Sequence, residues 1–272
     1  MPELPELEAL RLTLGPRLAG KTVTGVTVDA RRGFMLRHPI GEMAASLSGR
    51  RLDSVSRRGK HLLFGFDGDP PAFSLVVNPM ISGRFRIVSQ GAKPDRDQVL
   101  ALAFDDGAEL RYRDLRQMGR IYGTSDLAAI PGWTDLGPEA DSLPTLGMDW
   151  FRHRLRRHRD EVKDLLRNQS FLAGLGNAYS DEVCFEARIL PLRRRATLTP
   201  PDEEALYQAI PGVLSRALAA ILANPAYDES KQDRSFMAVH GKGGRSCARC
   251  GHRIGQLGSE REPLNFCRGC QR

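Results

Sequence analysis

The chain has no stretch approaching the ~20 consecutive apolar residues that a membrane-spanning helix needs. Its first residues lack the charged-then-apolar layout of a secretion signal. A soluble, intracellular and cytoplasmic chain with no membrane partner is therefore expected. It also lacks a glycine-rich phosphate cradle and any hydrolase nucleophile motif, which sets aside nucleotide-hydrolysing and serine- or cysteine-hydrolase chemistry. No internal repeat or low-complexity tract is present. Cysteine is scarce, with five in 272 residues, yet the 41% hydrophobic content is ample for real cores.

Four of the five cysteines form "CARC" (Cys247, Cys250) and "CRGC" (Cys267, Cys270), two C-x2-C pairs separated by sixteen residues. Each pair can aim two thiolates at one ion from a tight turn, and together they supply the four tetrahedral sulfurs that zinc prefers. Disulfides do not suit a reducing compartment. One structural Zn2+ is expected, with no open coordination position for chemistry. The fifth, Cys184, lies on a predicted helix and reads as a small core residue.

Lys and Arg number 40 against 33 Asp and Glu, a net charge of +7. The excess is uneven. The last 32 residues hold seven basic side chains and two acidic ones. "WFRHRLRRHRDEVKDLLRN" and "LRRR" at 192–195 are two further basic stretches. Three such segments in one chain point to nucleic acid as the partner.

The pattern of elements implies an α+β multi-domain fold. "MPELPELEAL" reads as a helix start, with Pro5 and acidic residues in its first turn and leucines following at spacings of three and four. Residues 20–125 read as mostly short strands, with Asp106-Gly107 between alternating runs as a hairpin turn. An N-terminal helix plus a β-sandwich-like domain is expected over 1–128, then a Pro/Gly-rich linker. A helical domain is expected over 138–228, with "SLPTLGMDWFRHRLRRHRDEVKDLLRN" as its first helix and Asn177 after "GLG" as an N-cap, a phosphate contact or both. A zinc ribbon with a short hairpin between the cysteine pairs closes the chain over 238–272.

These parts together resemble the Fpg/Nei family (formamidopyrimidine-DNA glycosylase and endonuclease VIII-like) of bifunctional DNA glycosylase/AP lyases, across the whole chain. "MPELPELE" is similar to the family's N-terminal signature, "RRGKHLLF" to its lysine segment, "DLRQMG" to its Asp-Pro-Arg-Arg-Phe-Gly segment, and "FLAGLGNAYSDEVCF" to its helix–two-turns–helix motif. The resemblance implies base-excision repair of double-stranded damaged DNA by a nucleoid-associated monomer. Pro2, freed by removal of Met1, is implied as the nucleophile that forms a Schiff base. Glu3 is implied as general acid/base with Glu6 in support, and Lys60 as a phosphate grip. Asn177, Lys163, Glu182 and the ribbon's Arg261 are implied on the DNA side. The void left by an everted base would be filled from Arg116, Met118 and Ile81.

The chain also departs from the family pattern. Asn78 stands where a His is expected, Ile81 where a Met is, and Met118 where a Phe is. Arg261 lies one position further from Cys267 than usual. About twenty residues run from Tyr227 to Cys247, too few for the full loop that folds over a flipped 8-oxoguanine in members excising that base. "PELPE" favours the purine-repairing side of the family. An endonuclease VIII-like enzyme for oxidised pyrimidines or bulky adducts, and a non-catalytic damage-binding protein, are the alternatives.

Overall fold

A computed structural model of the chain describes residues 1–68, 72–224, 232–259 and 262–272. They divide into two compact units. Residues 1–2, 6–134 and Gln232 belong to the first; residues 3–5, 135–224 and the described part of 233–272 belong to the second.

Helix α1 (Leu4–Leu18) places Leu7, Leu10, Leu14 and Leu18 on one face, and all four are buried in the first unit's core. That core lies between two four-stranded antiparallel sheets. One has the order β1 (Val23–Val28), β6 (Gln98–Phe104), β7 (Ala108–Asp114), β5 (Gly83–Ser89). The other has the order β2 (Leu52–Arg58), β3 (His61–Phe66), β4 (Phe73–Asn78), β8 (Arg120–Thr124). Period-two alternation decides which side chains face in. Leu62, Phe64 and Phe66 of β3 and Phe73, Leu75 and Val77 of β4 enter the core, while Leu63 and Val76 join Tyr122 and Ile130 in a separate cluster. Each fully buried Leu or Phe contributes about 1.5–3 kcal/mol.

The expected Asp106-Gly107 turn joins β6 to β7. The stretch 20–125 is not all strand, however. It also holds a 3-10 segment at Ala30–Met35 and α2 (Ile40–Leu47), whose Met43 and Leu47 are buried one turn apart. A two-turn helix repeats its apolar period too few times to stand out from strands around it.

The second unit is helical, but the single helix expected over 142–168 is three. They are α3 (Leu143–Leu146), α4 (Met148–Leu155) and α5 (Val162–Arg167). Gly147, at φ 83°, ends the first, and a turn through 156–161 separates the other two. α6 (Asn177–Glu186) and α7 (Pro200–Ala223) complete the bundle. α7 starts as expected, with prolines in its first turn and a capping box between Thr199 and Asp202. By length and composition α7 could cross a membrane, which corrects the expectation that no stretch comes near that. Leu206, Ile210, Val213, Leu214 and Ala217 on its buried face instead pack in the unit's own core, with Phe151, Phe171 and Tyr179. Cys184 is fully buried there as expected, and burial pushes its thiol pKa well up. The C-terminal hairpin pairs β9 (Gly255–Ser259) with β10 (Glu262–Phe266).

Candidate active site

In the first unit Pro2 is buried, and in the intact chain its nitrogen is acylated by Met1. The Met1 carbonyl accepts a hydrogen bond from Gln232 Nε2 at 3.3 Å, and the same nitrogen donates to Glu6 Oε1 at 3.1 Å. Arg84 Nη2 donates to Gln232 Oε1 at 3.3 Å. Lys60 sits in the turn between β2 and β3. The neighbouring Arg57 holds that turn to α1, since its Nε donates to Glu8 Oε2 at 3.1 Å and its Nη1 to the Gly59 carbonyl at 3.4 Å. Burial pushes the Glu8 carboxyl up, but Arg11 and Arg57 more than offset this and hold it below its ordinary value.

Ile81, Arg116 and Met118 lie on two turns organised by one buried carboxylate. Asp114 Oδ1 accepts the N–H groups of Arg116 and Gln117, each at 3.2 Å, and the Ser82 hydroxyl. Its Oδ2 accepts Met118 N at 3.1 Å and Gly119 N at 2.7 Å. Ser82 in turn accepts Arg116 N at 2.9 Å, which ties the 78–82 turn to the 114–119 loop. Arg116 is exposed, as are Met118 (43%) and Ile81 (36%). Asn78 Oδ1 accepts Met80 N at 3.1 Å, steadying Met80 at φ 48°, and Asn78 Nδ2 lies 3.3 Å from His61 Nε2.

In the second unit Glu3 is 1% exposed and sits on the N-terminus of α6. Its Oε1 accepts Ala178 N at 3.0 Å, its Oε2 accepts Tyr179 N at 3.4 Å, and Arg234 Nη2 stands 3.8 Å away. This corrects the reading of Asn177 as an N-cap. The cap position is Gly176, and a carboxylate from the chain start meets the first-turn donors that a capping side chain would have met. Gly174, at φ 105°, permits this docking, because a Cβ there would meet Leu4 Cδ1 at 2.7 Å. Leu4 N also donates to the Gly174 carbonyl at 3.1 Å.

Asn177 Nδ2 donates to the Pro263 carbonyl at 2.9 Å. Lys163, 3% exposed, pairs with fully buried Asp181, and its Nζ lies 3.4 Å from the Asn177 carbonyl. Asp181 Oδ2 also meets His240 Nδ1 at 2.8 Å and accepts Asn265 N at 3.1 Å. The Glu182 carboxylate accepts three backbone N–H groups, of Ala238 at 2.7 Å and of Val239 and His240 at 2.8 Å each. Arg261 lies outside the described residues, as do residues 227–231 at the start of the stretch expected to be too short for a capping loop.

The four cysteines converge. Cys247, Cys250, Cys267 and Cys270 bring their sulfurs within 4.8 Å of one another, with Cys247–Cys270 at 3.8 Å and Cys250–Cys267 at 3.4 Å. Zinc–thiolate bonds of about 2.3 Å at tetrahedral angles put sulfurs roughly 3.8 Å apart, so the donor set and spacing fit that ion.

Comparison with known proteins decides the family. Residues 1–121 match the formamidopyrimidine-DNA glycosylase N-terminal domain and residues 136–223 match the helix–two-turns–helix (H2TH) domain of the same enzymes. The chain is 35% identical over 287 residues to the formamidopyrimidine-DNA glycosylase of Heliobacterium modesticaldum, covering 100% of both. It is 32% identical to that of Pelotomaculum thermopropionicum, covering 100% of this chain and 99% of the relative. The chain belongs to the formamidopyrimidine-DNA glycosylase family. Similar solved structures include the Lactococcus lactis Fpg bound to DNA containing an abasic site, with a TM-score of 0.88, 27% identity and 99% coverage of each chain. MutM in complex with DNA containing carbocyclic 8-oxo-G is similar too, with a TM-score of 0.88, 27% identity and 100% coverage of each chain.

Reasoning from sequence did not single out Asp114, Ser82, Gln232, Arg234 or Asp181. The one available signal was position, since Asp114 opens the "DLRQMG" segment and Asp181 adjoins Glu182.

Proposed function

We propose that this chain is a base-excision-repair DNA glycosylase/AP lyase for oxidised or ring-opened purines, acting through Pro2. What carries the reading is the chain start itself. In a member of this family, buried Pro2 is followed by a buried Glu3 whose carboxylate is docked on α6. Removal of Met1 converts the Pro2 nitrogen from an amide into a secondary amine. An α-amino group titrates near ~8, so an appreciable fraction is neutral and nucleophilic at physiological pH.

The Pro2 nitrogen attacks C1′ of the damaged nucleotide. The C1′–N bond to Pro2 forms as the glycosidic bond breaks, and the base leaves with that electron pair and a proton. Glu3 protonates the sugar ring oxygen as the ring opens, giving an iminium at C1′. Loss of the C2′ proton into that electron sink expels the 3′ phosphate, and a second elimination expels the 5′ phosphate. Glu6, joined to the chain start through Gln232, supports the proton transfers.

Lys60 and Asn177 hold phosphates, while Arg116, Met118 and Ile81 refill the stack. Lys163 and Glu182 are already engaged within the protein, so they serve DNA by fixing the Asn177 turn and the 238–240 segment. Asn78 fixes the turn that carries Ile81, and Arg261 adds a ribbon contact. The cysteines hold a structural Zn2+, which makes a phosphate-facing module of the ribbon, and the enzyme works inside the cell on nucleoid DNA.

Borohydride trapping tests this on duplexes carrying 8-oxoguanine opposite cytosine or an abasic site. A covalent adduct on both, absent in Pro2→Gly, is expected. An adduct on the abasic duplex alone keeps the lyase and moves the lesion to oxidised pyrimidines or bulky adducts. No adduct on either refutes the proposal.

A further inference from the structure

Two of the basic stretches singled out in the sequence meet in the second unit, and of their side chains the function proposed above uses only Lys163. The turn after α4 and the segment leaving α6 pair through their backbones. Val162 N donates to the Arg193 carbonyl, Lys163 N to that of Pro191, and Arg195 N to that of Asp160, each at 3.0 Å. Residues 28 to 35 positions apart thus form one edge.

Several arginines of this edge are already engaged. Arg195 donates to the carbonyls of His158 at 2.6 Å and Arg156 at 3.4 Å, which staples the turn in place. Arg193 pairs with Asp202, Arg152 with Glu203 and Glu204, and Arg154 with the Ser170 carbonyl. Arg156, Arg157, Arg159 and Arg194 remain. All four are exposed, and among the described residues none forms an ion pair with a carboxylate. The nearby acids are Asp160, which lies 3.7 Å from His158, and Glu161.

The ordinary account is a basic helix C-terminus favoured by the α4 dipole. It covers Arg156 and, less well, Arg157, but its reach ends within a turn and cannot include Arg159 or Arg194. The edge is also continuous with the proposed DNA side. Lys163 belongs to the same backbone pairing, and its Nζ approaches the Asn177 carbonyl.

We propose that Arg156, Arg157, Arg159 and Arg194 form a second phosphate track, which holds the duplex arm flanking the lesion. This rests on the glycosylase reading. The turn that carries them is stapled and none of the four is ion-paired, the one internal contact of their guanidiniums among the described residues being Arg157 Nη2 at 2.8 Å from His153 Nε2, so they can engage backbone phosphates without first breaking ion pairs. Each neutralised phosphate releases counterions and steepens the salt dependence of binding by about 0.9 in log–log slope.

The test measures affinity against salt for the zinc-loaded full chain, on a duplex that covers only the lesion and on one several helical turns longer. The unsubstituted chain is expected to show the steeper slope on the longer duplex. Replacing all four arginines by alanine should lower that slope by about 3–4, and replacing them by lysine should restore it. Should the fourfold variant fold poorly, Arg159→Ala with Arg194→Ala, both outside α4, should lower the slope by about 2.

An unchanged slope with borohydride trapping intact overturns the track and leaves the glycosylase reading standing. If that result comes with lost binding to a polyaspartate peptide, the edge belongs to an acidic protein partner instead. Loss of trapping in the unsubstituted chain overturns the glycosylase reading and the track together.

Discussion

Replacing Asp114 by asparagine should separate base excision from strand cleavage. The two oxygens of Asp114 accept four backbone N–H groups of the 116–119 loop and the Ser82 hydroxyl. An amide offers one acceptor oxygen. Whichever way it turns, two N–H groups then face its NH2. Each buried donor left unmet costs about 1–3 kcal/mol, so the ordered loop is destabilised by about 2–6 kcal/mol against its open states. Even the lower figure is a factor of about 30 in population. That loop presents Arg116 and Met118, the side chains proposed to occupy the space of an everted base. Extrusion costs a few kcal/mol and needs that filling, whereas an abasic site has no base to extrude. Single-turnover excision from a lesion duplex should therefore fall about 30-fold or more, with abasic-site cleavage held within about threefold. Thermal melting would confirm that the β-sandwich persists. Equal losses on both substrates, or none on either, would refute the assignment of Asp114 as organiser of the void-filling loop.

Two further perturbations address other parts of the molecule. Thiol-modifying reagent in the presence of a colorimetric chelator should release one zinc per chain and abolish DNA binding, because the ribbon's small cluster of Val239, Cys247, Ile254 and Cys267 cannot hold the hairpin alone; metal release with binding retained would count against the ribbon as a DNA module. Acid should loosen the Lys60 turn through Glu8, whose folded pKa lies below its ordinary value of 4.5. A depressed carboxyl stabilises fully above that ordinary value and loses its contribution as pH falls through the lower folded one. The gap in urea midpoint between the unsubstituted chain and Glu8→Gln should therefore be wide near about pH 6 and narrow by about pH 3, and a gap of constant width would dismiss the pairing.

What could be read from sequence is what repeats locally or is chemically rare. Leucines at three-and-four spacing marked α1, Asp106-Gly107 marked a hairpin, and four cysteines in two pairs marked a metal module. What escaped was contact at long range or by exception. The break between α4 and α5 hides in a run whose charges are compatible with helix throughout, and only the pairing of 160–163 with 191–195 shows why the chain turns there. The three backbone partners of Glu182 lie 56 to 58 residues further on, where no spacing rule could place them. Asn177 had the chemistry of an N-cap. The donors it was expected to meet are met by Glu3, 175 residues earlier in the chain.

Glu3, Asp114, Asp181 and Glu182 have one physical trait in common, which bears on how a protein of net charge +7 meets a polyanion. Each is at most 8% exposed, and each directs its oxygens at backbone N–H groups, those of the loop that follows it for Asp114 and of a distant segment for the other three. A carboxylate is the strongest acceptor available for gathering several N–H groups at one point, but on a DNA-facing surface it would repel phosphate. Burying it behind the loop it organises resolves the conflict. The loop gains a rigid shape and the negative charge is kept inside, while exposed positions go to arginines, Arg116 in the first unit and Arg156, Arg157, Arg159 and Arg194 in the second. On this argument the acids of the chain are read by burial first. A buried acid that accepts backbone N–H groups is an anchor, and only one whose oxygens can also reach the reacting sugar, as proposed for Glu3, is a candidate for proton transfer.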